Sequence, residues 1–138
     1  MEPYTKQTAF ETMVTRLYEQ NDVSKHGNRC KYVSIDGKSC AIGLLFDEED
    51  REKLTYSEGV SADGAIEKSE LTHRFQGYEE NNFGKFLTSA QTSLHDILPT
   101  GVNFRVHLLQ AARKFGRNYN LKTKFIDDLV EENIDADN

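Results

Sequence analysis

Four stretches of the chain repeat apolar residues at the spacing of a helix, and a chain patterned this way buries those side chains by packing helix on helix. Phe10, Met13, Val14, Leu17 and Tyr18 stand at i, i+3, i+4, i+7 and i+8, one face of a 3.6-residue helix. Thr8 and Glu11 have the spacing of a capping box, so a helix is predicted over 8–20. Phe86, Leu87, Ala90, Leu94, Ile97 and Leu98 repeat the pattern from Lys85 until Pro99 stops it. Phe104, Leu108, Ala111, Ala112 and Phe115 share a third face, on a helix starting at Thr100 or Gly101 and ending near Gly116 and Asn118. Leu121, Phe125, Leu129 and Val130 mark a last one, starting near Asn120. Residues 85–133 therefore read as a helical C-terminal part and 134–138 as an acidic tail.

The first half interrupts this pattern. Asp36-Gly37 sits between two short β-type runs, a strong signal for a two-residue hairpin turn. Residues 29–42 are read as that hairpin and the start of a helical turn. Asp47 then offers an N-cap to "EEDREKL", whose acids fall in the first turn where the helix dipole favours them. Residues 55–84 hold four glycines and little periodicity, and read as an irregular loop region with one helical turn. The expected fold is mainly α with one small β-hairpin (α+β), a single domain over 1–138 with four to five helices.

A length of 138 residues suits one core. No apolar run approaches the roughly 20 residues of a membrane span, and the N-terminus lacks the basic and apolar regions of a signal peptide. The expected location is the cytoplasm, with both cysteines reduced.

The cysteines flank the hairpin. A two-residue turn at Asp36-Gly37 sets Val33 opposite Cys40 and Cys30 opposite Gly43, on opposite faces. A three-residue loop still leaves the two sulfurs some four residues apart, about 13 Å, beyond the roughly 7 Å Cα separation a disulfide spans. Zinc needs four ligands in tight local pairs, and only His26 stands close to Cys30. A nucleophilic cysteine needs a histidine base in space, and no signature surrounds either one. The preferred reading is structural, with the small residues Cys40, Ala41 and Gly43 packing a hairpin onto a helix.

Several pieces form an ordered set: Cys30-x-Tyr32, Gly37-x-x-Cys40-Ala41-Ile42-Gly43, Tyr56 to Gly59, then Gln91-x-x-Leu94-His95-Asp96 and a helix ending near Gly116. Over roughly Gly27 to Leu121 the chain resembles a family of small proteins common in phages and prophages, with a C-x-Y…G-x-x-C-A-[IV]-G segment, an E-G loop and an H-D dipeptide. It departs in having Phe46-Asp47 where that family usually has a proline, a longer middle and an acidic tail. The resemblance implies a phage or prophage context, hence the host cell cytoplasm, and carries no activity or cofactor with it. Small phage proteins often act by binding a host protein.

Two further patterns compete with that implication. His73, His95-Asp96 and Asp127 occur in the order used by helical metal-dependent phosphohydrolases of the HD type. Imidazole and carboxylate ligands there suit a divalent metal that activates water. The alternative is a structural His-Asp pair near a helix C-terminus.

Net charge is −6, but Ile97 to Ile126 holds six bases and no acid, whereas Asp127 to Asn138 holds six acids and no base. Arg105, Arg113, Arg117, Lys122 and Lys124, with Tyr119, are candidates for contacting phosphates, or for pairing with this chain's own acids. Asp47, Glu48, Glu49 and Asp50 are candidates for docking on a basic groove of another protein. The favoured expectation is a non-catalytic phage-type accessory protein that binds and modulates a host or defence protein. The alternatives are an HD-like hydrolase and a nucleic-acid-binding module; no membrane partner is expected, and a homodimer is compatible with the sequence.

Overall fold

The computed structural model describes residues 2–21, 25–26, 29–30, 40–55, 62–99 and 103–137, with backbone alone for 25–26, 29–30, 55, 62 and 131–137. Six α-helices run through them: α1 Lys6–Gln20, α2 Glu48–Thr55, α3 Ala62–Lys68, α4 Phe83–Gln91, α5 Phe104–Asn118 and α6 Lys124–Asp137. This corrects the expected α+β class and the count of four to five helices. Among the described residues, Lys25–His26 pairs with Arg29–Cys30, two residues a side, and Tyr4 makes an isolated parallel bridge with Phe75; neither forms a sheet layer. Cys30 pairs there with Lys25, not with Gly43, which opens a 3₁₀ turn over Gly43–Leu45. The turn expected at Asp36-Gly37 lies outside the described residues.

Helix α1 begins two residues before its predicted start. Thr5 is the N-cap: its hydroxyl accepts the Thr8 N–H at 3.1 Å, and the Thr8 hydroxyl accepts the Thr5 N–H at 2.8 Å. Thr8 thus fills the third position of a capping box, where glutamate is more usual. The predicted apolar face is buried in full and packs against α4, α5 and the 3₁₀ turn. Asp47 caps α2 as expected, accepting the Asp50 N–H at 2.9 Å.

The 55–84 segment is more ordered than its composition suggests. Helix α3 packs on α4 and ends in a Schellman motif, with Leu71 N–H on the Ile66 carbonyl (3.0 Å) and Glu70 N–H on that of Glu67 (3.1 Å). Glu70 takes the left-handed position, φ +58°, where glycine is usual. Helix α5 ends the same way: Leu121 bonds to Gly116 (2.8 Å) and Asn120 to Arg117 (3.3 Å), with Asn120 at φ +56°. Asn120 therefore stops α5 rather than starting α6. Gly116 lies inside α5 because the chain entering α6 crosses it closely; a Cβ there would sit 2.5 Å from Thr123 Cγ2 and 3.2 Å from the Phe10 ring.

A string of aromatic contacts ties the helices together. Phe125 meets Phe10 at 5.4 Å between ring centroids, Phe10 meets Phe115 at 5.7 Å, Phe115 meets Phe86 at 5.4 Å, Phe86 meets Phe83 at 5.8 Å and Phe83 meets Phe75 at 4.9 Å. These separations are typical of favourable tilted and edge-on pairs. None of the helices among the described residues is long and apolar enough to cross a membrane.

Candidate functional site

Helix α4 does not run on to Pro99 as an α-helix. Thr92–Asp96 forms a π-helical turn, in which Ile97 N–H reaches back five residues to the Thr92 carbonyl at 3.2 Å. A π turn holds one residue more than an α turn and rotates everything after it. Leu94, His95 and Leu98 are buried, whereas Ile97, predicted on the apolar face, points outward and is 69% exposed.

The buried His95 belongs to a polar cluster with Gln91 and Asp96. Gln91 accepts the Ile42 N–H on its carbonyl at 3.0 Å, which fixes the amide's orientation. Its Nε2 then donates to Asp96 Oδ1 at 2.8 Å. His95 Nδ1 lies 3.0 Å from the same oxygen. Nδ1 also lies 3.3 Å from Gln91 Nε2, so the three side chains form one hydrogen-bonded cluster. Cys40, Ala41, Ile42 and Gly43 are all buried around this cluster's other end. The Cys-Ala-Ile-Gly and His-Asp motifs, 49 residues apart at their bond, are one structural unit. Gln91, which joins them, is buried; the sequence signal for it was its place in the Gln-x-x-Leu-His-Asp motif.

The other candidates for metal do not join His95. His73 is exposed on the 3₁₀ turn Thr72–Arg74, beside Glu49, Glu52 and Glu70 in an open cleft. Asp127 holds Arg113 at 3.1 Å on the surface. Among the described residues no three His, Cys, Asp or Glu side chains are grouped so as to hold a metal ion. Cys30 is described by its backbone alone, and Tyr32 and Gly37 lie outside the described residues.

The charged candidates divide by what they touch. Asp47, Glu48 and Glu49 are exposed at the start of α2. Asp50 is not: it is 3% exposed and takes Arg74 Nε at 2.9 Å, with Lys53 Nζ at 3.8 Å. Arg105 is likewise engaged inward; its Nε donates to the Tyr18 carbonyl at 2.8 Å, and the guanidinium lies 4.7 Å from the Tyr18 ring centroid. It closes the C-terminal end of α1, where carbonyls lack helical partners and a cation is favoured. Lys122 fixes a crossing through its backbone, its N–H and carbonyl both bonding the Gln7 amide at 2.8 and 3.0 Å. The side chains of Lys114, Arg117, Lys122 and Lys124 are exposed. Tyr119 is half-buried between Phe86 and Phe115, at 5.1 and 4.7 Å.

One further polar contact binds α3 to the turn that precedes α4. The Tyr78 hydroxyl donates to Asp63, over Gly84, where a Cβ would stand 2.0 Å from the Asp63 carboxylate. Burial first, then this carboxylate, pushes the Tyr78 pKa well above its ordinary value. Burial raises Tyr4 as well, against the lowering influence of Arg16.

No family model matches the chain, and neither a curated protein nor a solved structure matches it.

Proposed function

We propose that this chain is a small accessory protein of phage type that acts in the host cell cytoplasm by binding a host or defence protein, with no reaction of its own. The observation that carries this reading is the outward side of α5 and the π turn beside it. Val106 (54% exposed) and Ile97 are the exposed large apolar side chains among the described residues. They sit with Lys114 and Arg117 on a stretch without acids. Apolar anchors beside segregated charge suit recognition of another protein.

Affinity capture from a host-bacterium lysate, with metal analysis of the purified chain, tests it. The reading expects one enriched protein that reassembles with this chain from purified components, and no stoichiometric metal. A chain that captures nothing, carries a bound divalent ion and hydrolyses phosphoesters would overturn it.

A further inference from the structure

We infer that the partner's contact surface is apolar at one end and acidic at the other, and that it seats along the edge made by the π turn and α5. This rests on the binding function proposed above and names its surface and the chemistry of its partner. Val106 lies on α5, and Ile97 directly follows the π turn that packs against α5. Val106, Gln110, Lys114 and Arg117 follow at steps of four, four and three along α5, and all are exposed. They make one stripe about 16 Å long at 1.5 Å per residue, apolar at its start and basic at its end.

Charge complementarity selects the partner. No acid occurs between Ile97 and Ile126. Asp127 on α6 is paired with Arg113, and among the described residues Lys114 and Arg117 have no ion pair. Carboxylates on the partner satisfy that end, and an apolar side chain covers Val106 and Ile97 at the other. The whole chain carries net charge −6, so attraction of an acidic partner is confined to this edge, within roughly a Debye length of 8 Å. A nucleic acid fits less well: Tyr119, the aromatic residue that would stack a base, is held between two phenylalanines, and phosphates gain nothing from Ile97 or Val106.

Site-directed photocrosslinking tests the surface separately from the function. Benzoylphenylalanine is placed at Val106, at Ile97, and at Glu19 and Glu80 as exposed comparison positions, and the full chain is irradiated in host-bacterium lysate. The expected result is an adduct with one protein from Val106 and Ile97, about tenfold stronger than from the comparison positions. The crosslinked peptide should be rich in Asp and Glu. Binding of that purified protein should weaken about tenfold in K114E/R117E. If the same protein crosslinks from Glu19 or Glu80 instead, or through a basic peptide, the surface is wrong while the binding function stands. An adduct with nucleic acid or with a second copy of this chain would also overturn the inference. No protein adduct from any position would overturn the binding function itself.

Discussion

The side-chain carbonyl of Gln91 accepts the backbone N–H of Ile42 at 3.0 Å, so a buried amide on α4 closes the turn that carries the Cys-Ala-Ile-Gly motif. The same amide donates to Asp96. One side chain thus sets both the 40–43 segment and the carboxylate that orients His95. The bond explains why these short motifs belong together without any chemistry being assigned to either.

Replacing Gln91 by Leu leaves the Ile42 N–H buried without its acceptor and removes a bond to a carboxylate. The expected loss is about 2–3 kcal/mol, read as a lower urea midpoint with an unchanged slope. A loss below about 0.5 kcal/mol, the range of ordinary surface changes, would mean that the amide is not a structural tie.

Glu70 holds a left-handed C′ position at φ +58°. Glu70→Gly removes that backbone cost, of order 1–2 kcal/mol, against roughly 0.5–1 kcal/mol of extra chain entropy. The net expectation is a gain of about 0.5–1 kcal/mol, visible as a higher thermal midpoint.

Gly116→Ala should destabilise by about 1–3 kcal/mol, because the new methyl meets Thr123 Cγ2 at 2.5 Å. Thr123→Ser deletes that methyl. Adding it to Gly116→Ala should recover part of the loss, a coupling that a double-mutant cycle reads directly. Strict additivity of the two changes would contradict the close crossing of α5 by the chain entering α6.

The raised pKa values of Tyr78 and Tyr4 make alkaline stability testable. Below about pH 10, the ordinary tyrosine value, both tyrosines are protonated folded or unfolded, and their contribution is complete. Above it the unfolded chain releases the protons while the folded chain keeps them, so stability falls as pH rises. The urea midpoint should drop as the pH rises past about 10, and less steeply in Tyr78→Phe. Equal slopes would place Tyr78 in water.

The long helices were legible because Phe10 to Tyr18 and Phe104 to Phe115 repeat apolar residues at a helical period, and periodicity reports which face is buried. Where the sequence misled, a local departure from ideal geometry was responsible. Ile97 falls on the apolar face only if α4 continues regularly, and the π turn moves it outside. Gly116 looked like a helix stop, yet its missing Cβ serves a close crossing and Asn120 ends the helix. Helix α3 was hidden because its stop is a glutamate rather than glycine. Among the candidate binding residues, Asp50 stands in an acidic run and Arg105 in the acid-free stretch 97–126, like their fellow candidates. Only their tertiary partners, Arg74 and the Tyr18 carbonyl, separate them from the solvent-facing charges.

In the function proposed above, the His-Asp unit is structural and the outer edge of α5 does the binding. Its most direct test is calorimetric titration of the purified partner with Val106→Asp and with Asp96→Asn, each alongside thermal unfolding. Val106→Asp should keep its unfolding midpoint and lose at least about tenfold in affinity. Asp96→Asn should unfold earlier, by about 1–2 kcal/mol, and bind the partner as the original chain does. Loss of binding in Asp96→Asn at unchanged stability, with full binding in Val106→Asp, would contradict the proposed function.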